Sequence, residues 1–117
     1  MAGFKEWAAI RKVHDGKFHW KLVNNLVYHA EDGNSYTVVA GFLTDLATIP
    51  RILWPVFSPM DSFLSASVLH DYLYSTHRLK RKEADGLFLQ AMKYSNVPLW
   101  KRQIIYRAVR LFGGSHY

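Results

Sequence analysis

A chain of 117 residues has the length of one domain and is long enough to bury a core without covalent staples. Half of its residues are hydrophobic and 15% are aromatic, which excludes a disordered chain; the lack of cysteine excludes disulfides and thiolate zinc sites. The net charge of +6 suits an acidic protein partner or nucleic acid, and no apolar run approaches the length of a membrane span.

In chain order, "MAGFKEWAAIRK" carries Lys5, Glu6, Arg11 and Lys12 before any long apolar stretch and makes a poor secretory signal. Trp7 to Val13 is read as a leading strand. "KFHWKLV" alternates, with Phe18, Trp20 and Leu22 on one side and Lys17, His19 and Lys21 on the other, the period of a half-buried strand. Asp15-Gly16 before it and Asn24-Asn25 after it are turn formers. Asp32-Gly33-Asn34 separates "LVYHA" from "YTVVA" and predicts a hairpin. Residues 1–41 therefore read as an antiparallel meander of about four strands.

Residues 42–60 hold prolines and polar residues among apolar ones, and read as an irregular crossing segment packed by Phe42, Leu46, Ile52 and Trp54. From 61 onward the period becomes helical. Asp61 or Ser62 can cap a first helix through "SFLSASVLHDYLYSTH", and a second runs from about Lys82 to Ser95, with Ala84, Leu87, Phe88 and Ala91 on one face. A third starts at Pro98 and ends at Gly113-Gly114, with Ile105, Val109 and Phe112 facing inward. Strands followed by helices predict an α+β fold.

Four blocks in this order, "AGFLTDLATIPRILWPVF", "SVLHDYLY", "ADGLFLQAM" and "YRAVRLFGG", resemble a domain-of-unknown-function family of small tailed-bacteriophage and prophage proteins. The family pattern is matched by Gly41, Phe42, Thr44, Asp45, Ala47, Ile49, Pro50 and Arg51, then His70, Asp71 and Tyr74, then Ala84, Asp85 and Phe88. Thr48 stands where serine is more frequent and keeps the hydroxyl. The resemblance spans about residues 39–113. It implies a phage origin, a place in the virion or the host cytoplasm, and other phage structural proteins as partners, but no activity.

The polar residues in these blocks admit three readings. On a helix, Ala66, Ser67, His70, Leu73, Tyr74 and His77 share one stripe, while Asp71 lies about 100° round from His70. One reading is a divalent metal centre of His70, Asp71 and Asp85, with Asp45 or His29 as a fourth ligand, in a small hydrolase. Another is general acid–base catalysis by His70 with Asp71 or Asp45, although no nucleophile motif accompanies them. The third is a buried polar network of Thr44, Asp45, Arg51, His70, Asp71, Tyr74 and Asp85 that fixes how helices meet the crossing segment, with Arg51 paired to Asp71 or Asp85.

The basic groups at Arg78, Lys80, Arg81 and Lys82 and at Lys101, Arg102, Arg107 and Arg110 read as solvated helix faces, the second set falling on several faces and not in one stripe, so nucleic acid is not favoured. Trp54 and Trp100 are core or interface anchors on this reading, and a homo-oligomer is allowed. The expectation is a non-enzymatic virion (tail) component or tail-assembly factor. A metal-dependent hydrolase is the alternative, and a host-takeover or anti-defence binding protein the third.

Overall fold

In a computed structural model the chain is described over residues 2–13, 20–44 and 61–116. Asp45, Arg51, Trp54 and the rest of the crossing segment from 45 to 60 lie outside the described residues, as do Lys17, Phe18 and His19. The class is α+β. Among the described residues six short strands precede three helices: β1 (Gly3–Phe4), β2 (Ile10–Lys12), β3 (Trp20–Leu22), β4 (Leu26–His29), β5 (Ser35–Val38), β6 (Leu43–Thr44), then α1 (Asp61–Thr76), α2 (Arg81–Tyr94) and α3 (Leu99–Phe112). A 3₁₀ turn, Gly113–His116, follows α3.

All strand pairs are antiparallel, and the strands divide between two three-stranded sheets, ordered β1-β4-β5 and β2-β3-β6. The β4–β5 hairpin forms where the sequence places it. Gly33 takes a positive φ of 91°, and the Asp32 side chain accepts a hydrogen bond from the Asn34 backbone at 3.0 Å. The register sets Tyr28 opposite Tyr36 and Leu26 opposite Val38, and all four are buried. The alternation in sequence thus becomes one apolar sheet face.

Two expectations at the N-terminal end need correction. Of Trp7 to Val13, only Ile10–Lys12 forms a strand. The three residues before it are held by side chains instead. Ala8 N–H donates to Ser65 Oγ at 2.8 Å and Ala9 N–H to Asn24 Oδ1 at 2.9 Å, while Asn24 Nδ2 donates to the Trp7 carbonyl at 3.1 Å. The start of the expected irregular segment is also regular: β6 pairs with β3, Leu43 opposite Lys21 and Thr44 opposite Trp20.

The helices follow their periodicity. Ala66, Leu69 and Leu73 of α1, Ala84, Phe88 and Met92 of α2, and Ile105 and Val109 of α3 are fully buried. The link from α2 to α3 is short because Asn96 adopts the left-handed conformation, φ 65°, and Val97 N–H reaches back to the Met92 carbonyl at 3.0 Å. Phe112 departs from its expected inner position and is 65% exposed. Arg81 and Tyr74 occupy the inner side of the last turn, where Arg81 Nη2 donates to the Val109 and Arg110 carbonyls at 2.9 and 2.7 Å. Glycine at 113 keeps this junction close: a Cβ there would lie 3.2 Å from the Tyr74 hydroxyl oxygen.

Candidate functional site

The polar constellation centres on Asp85, which enters from the first turns of α2 and is fully buried. Its Oδ1 accepts hydrogen bonds from His70 Nε2 at 2.8 Å and from the Tyr74 hydroxyl. Its Oδ2 accepts from Arg110 Nη1 at 2.7 Å and lies 3.9 Å from Arg81 Nε. His70 and Tyr74 are four residues apart on α1, so one helical face aims both at the same carboxylate. Arg81 and Asp85 are four apart on α2 by the same rule. Arg110 reaches in from α3. One carboxylate therefore gathers groups from all three helices.

Electrostatics follow from burial and these partners. Burial alone would push the Asp85 carboxyl up, but the hydrogen bonds from His70, Tyr74 and Arg110 outweigh it and hold it below its ordinary value. Burial drives His70 the other way, lowering its pKa despite the neighbouring carboxylate, so the ring is neutral near pH 7 and gives its Nε2–H to Asp85. Burial and the bond to Asp85 raise Tyr74, keeping it a protonated donor. The bond to Asp85 raises Arg110 further. The His70 ring lies between Tyr74 and Phe88, with centroids 4.2 and 4.5 Å away, so packing as well as hydrogen bonding fixes it.

Asp71 serves a different neighbour. Its Oδ2 accepts a hydrogen bond from the buried Thr44 hydroxyl, joining α1 to β6. Adjacent positions on a helix diverge by about 100°, which is why His70 and Asp71 face different elements. His29 bonds through Nδ1 to Ser35 Oγ at 2.8 Å on the exposed side of the β4–β5 hairpin.

His70 and Asp85 thus meet, whereas Asp71 and His29 turn elsewhere. Among the described residues no three His, Asp or Glu side chains form a group that could hold a metal ion. The proposed set of His70, Asp71 and Asp85 does not converge.

The arginines were the residues that sequence reasoning missed. The solvated helix faces expected for Arg81 and Arg110 are not what the structure shows, since both contact Asp85 and Arg81 also closes the end of α3. The four-residue spacing of Arg81 and Asp85 carried a usable signal; nothing in the local sequence of Arg110 did. Trp100, expected as a core or interface anchor, is 58% exposed and is no part of the core.

What the arrangement does chemically is limited by access. His70, Asp85 and Thr44 are completely buried, and Asp71 nearly so. Such groups orient and clamp their neighbours.

Residues 20–109 match the family model described as "Protein of unknown function (DUF1353)". The chain belongs to this family. The matched region contains Thr44, His70, Asp71, Tyr74, Arg81 and Asp85 and stops one residue before Arg110. The chain is also similar to "Uncharacterized protein y4jT" of Sinorhizobium fredii (strain NBRC 101917 / NGR234), at 29% identity over 96 residues. That similarity covers 80% of this chain and 29% of the relative, so the chain spans less than a third of the relative's length. No solved structure matches it significantly.

Proposed function

We propose that the protein is a non-enzymatic component of a bacteriophage tail, or a factor in tail assembly, working through protein–protein contacts. The observation that carries this reading is the closure of the polar constellation: the side chains of both His70 and Asp85 have zero exposure. A general base or a metal ligand set has to meet water or substrate, and a pair packed in this way meets neither. With the His-Asp pair committed to the core, the chemistry open to partners is on the surface, which is basic and carries several exposed large apolar side chains. The sequence pattern shared with small phage proteins supplies the setting.

Mass spectrometry of purified phage particles, together with electron microscopy of particles made without the gene, tests the reading. Detection in particles makes the protein a tail component. Absence from particles combined with tailless heads in the deletion makes it an assembly factor. Absence combined with normal tails overturns the proposal.

A further inference from the structure

We infer that the outward face of α3 is a docking site for an acidic, amphipathic segment of a protein partner. The inference rests on the assembly reading above and names the surface that would carry it.

Five large apolar residues of α3 are exposed, and three of them line up along the helix, Trp100 at 58%, Ile104 at 46% and Leu111 at 75%, with Leu99 and Phe112 to either side. With about 100° between successive residues, positions 100, 104 and 111 fall within an arc of about 40°. Ile105 and Val109, buried at 0%, define the opposite side against the core. Single exposed apolar residues are ordinary on a protein surface. A stripe aligned over three turns, about 16 Å long, is a helix face with the geometry of a helix–helix or helix–peptide contact.

The charges identify the occupant. Helix α3 carries Lys101, Arg102, Arg107 and Arg110 and no carboxylate, and no Asp or Glu occurs anywhere after Asp85. Arg110 is engaged by Asp85 and Arg102 falls on the side of Val109, which leaves Lys101 and Arg107 beside the stripe. Arg107 is exposed and falls about 20° from Trp100 on the helix. Lys101 places its Nζ 5.5 Å from the centre of the Trp100 ring.

This combination rejects a second copy of the same face, since pairing would bring like charges together. It also gives nucleic acid nothing to set against the apolar stripe. A segment with leucine-type residues flanked by Asp and Glu satisfies both the apolar and the charged components. The face is pre-organised as well: Arg110 and the Arg81 bonds to the Val109 and Arg110 carbonyls fix α3 to the other helices, so little is lost in ordering it.

The test is fluorescence anisotropy with three labelled probes: an amphipathic helical peptide of leucine and glutamate, its counterpart with lysine for glutamate, and a short DNA duplex. The intact chain is compared with Trp100→Ser/Ile104→Ser/Leu111→Ser and with Arg107→Glu. The expected result is binding of the acidic peptide alone, weakened at least about tenfold by the triple substitution and about threefold by Arg107→Glu. Should the triple variant fail to fold, Arg107→Glu carries the test alone.

Equal binding of the lysine peptide, insensitivity to Arg107→Glu, or duplex binding lost in the same variants overturns the inference. So does a dimer of the intact chain that the triple substitution converts to monomer. Incorporation into particles separates the two levels. Normal incorporation of a folded triple variant overturns the docking face and leaves the assembly reading standing. Sensitive peptide binding by a protein absent from particles and unneeded for tails does the reverse.

Discussion

Helix α2 is held at two carboxylates that receive similar donors in opposite surroundings. Near its start, Asp85 takes hydrogen bonds from a tyrosine, a histidine and an arginine and is fully buried. Toward its end, the exposed Glu31 takes one from the Tyr94 hydroxyl and one from Gln90 Nε2 at 3.1 Å, while Gln90 Oε1 accepts from Tyr28 at 2.7 Å and from the Glu31 backbone at 3.1 Å. A count of hydrogen bonds would rank the two clusters close together. Their surroundings separate them: water competes for the exposed Glu31 carboxylate and screens its charge, whereas a partner removed from Asp85 leaves a charge with nowhere to go.

The largest expected break in that contrast is Asp85→Ala. It leaves the buried His70 and Tyr74 donors without their acceptor and removes the counter-charge of the partly exposed Arg81 and Arg110, and is expected to cost about 3–5 kcal/mol, read from urea unfolding. A loss below about 1 kcal/mol would place Asp85 energetically with Glu31 and dissolve the distinction.

His70→Leu should cost about 2 kcal/mol, the worth of a buried hydrogen bond to a charged acceptor, and it sharpens the comparison through pH. His70 has a lowered pKa in the folded state, so below its ordinary value near 6.5 the unfolded chain binds the extra proton. Stability conferred by the neutral ring is therefore present at pH 7 and falls as pH drops through about 6.5 and below. Asp85, also lowered, adds a further loss only below about pH 4. Unfolding free energies measured between pH 7.5 and 5 should slope for the native chain and be nearly flat for His70→Leu.

Thr44→Val is expected to cost about 1–2 kcal/mol, because it removes a buried donor to Asp71 on the sheet side of α1. Smallest of all, Tyr94→Phe removes the hydroxyl that Glu31 holds and should leave the urea midpoint within experimental error.

How much of this was legible depends on how local each cause is. The three helices follow from apolar residues that repeat every three or four positions, and the β4–β5 hairpin from Asp32-Gly33-Asn34, so both could be read directly. β1 is two residues long and has no period to detect. Trp7 to Ala9 look like strand, but Asn24 and Ser65, distant in sequence, supply their hydrogen bonds. In the site, the common face of His70 and Tyr74 and the approach of Asp85 from the next helix could be anticipated from spacing. Arg110 could not, because four cations spread around α3 look alike until the packing selects one. Phe112 was misplaced for a related reason: helical phase puts it inward, and only the tertiary structure shows Arg81 and Tyr74 already there.

The contacts between the N-terminal region and the helices also set an order of events as the chain is made. Ala8 bonds to Ser65 across 57 positions, Tyr28 to Gln90 across 62, and Tyr94 to Glu31 across 63. At about 5–20 residues per second, β4 is complete roughly 3–12 s before Gln90 of α2, its hydrogen-bond partner, has been synthesised. During that interval α1 can pack on β4, but the part of the hairpin that α2 meets, at Tyr28, is uncovered. A fragment ending at residue 80, released before α2 exists, should be cleaved by protease within its strands under conditions in which the intact chain survives.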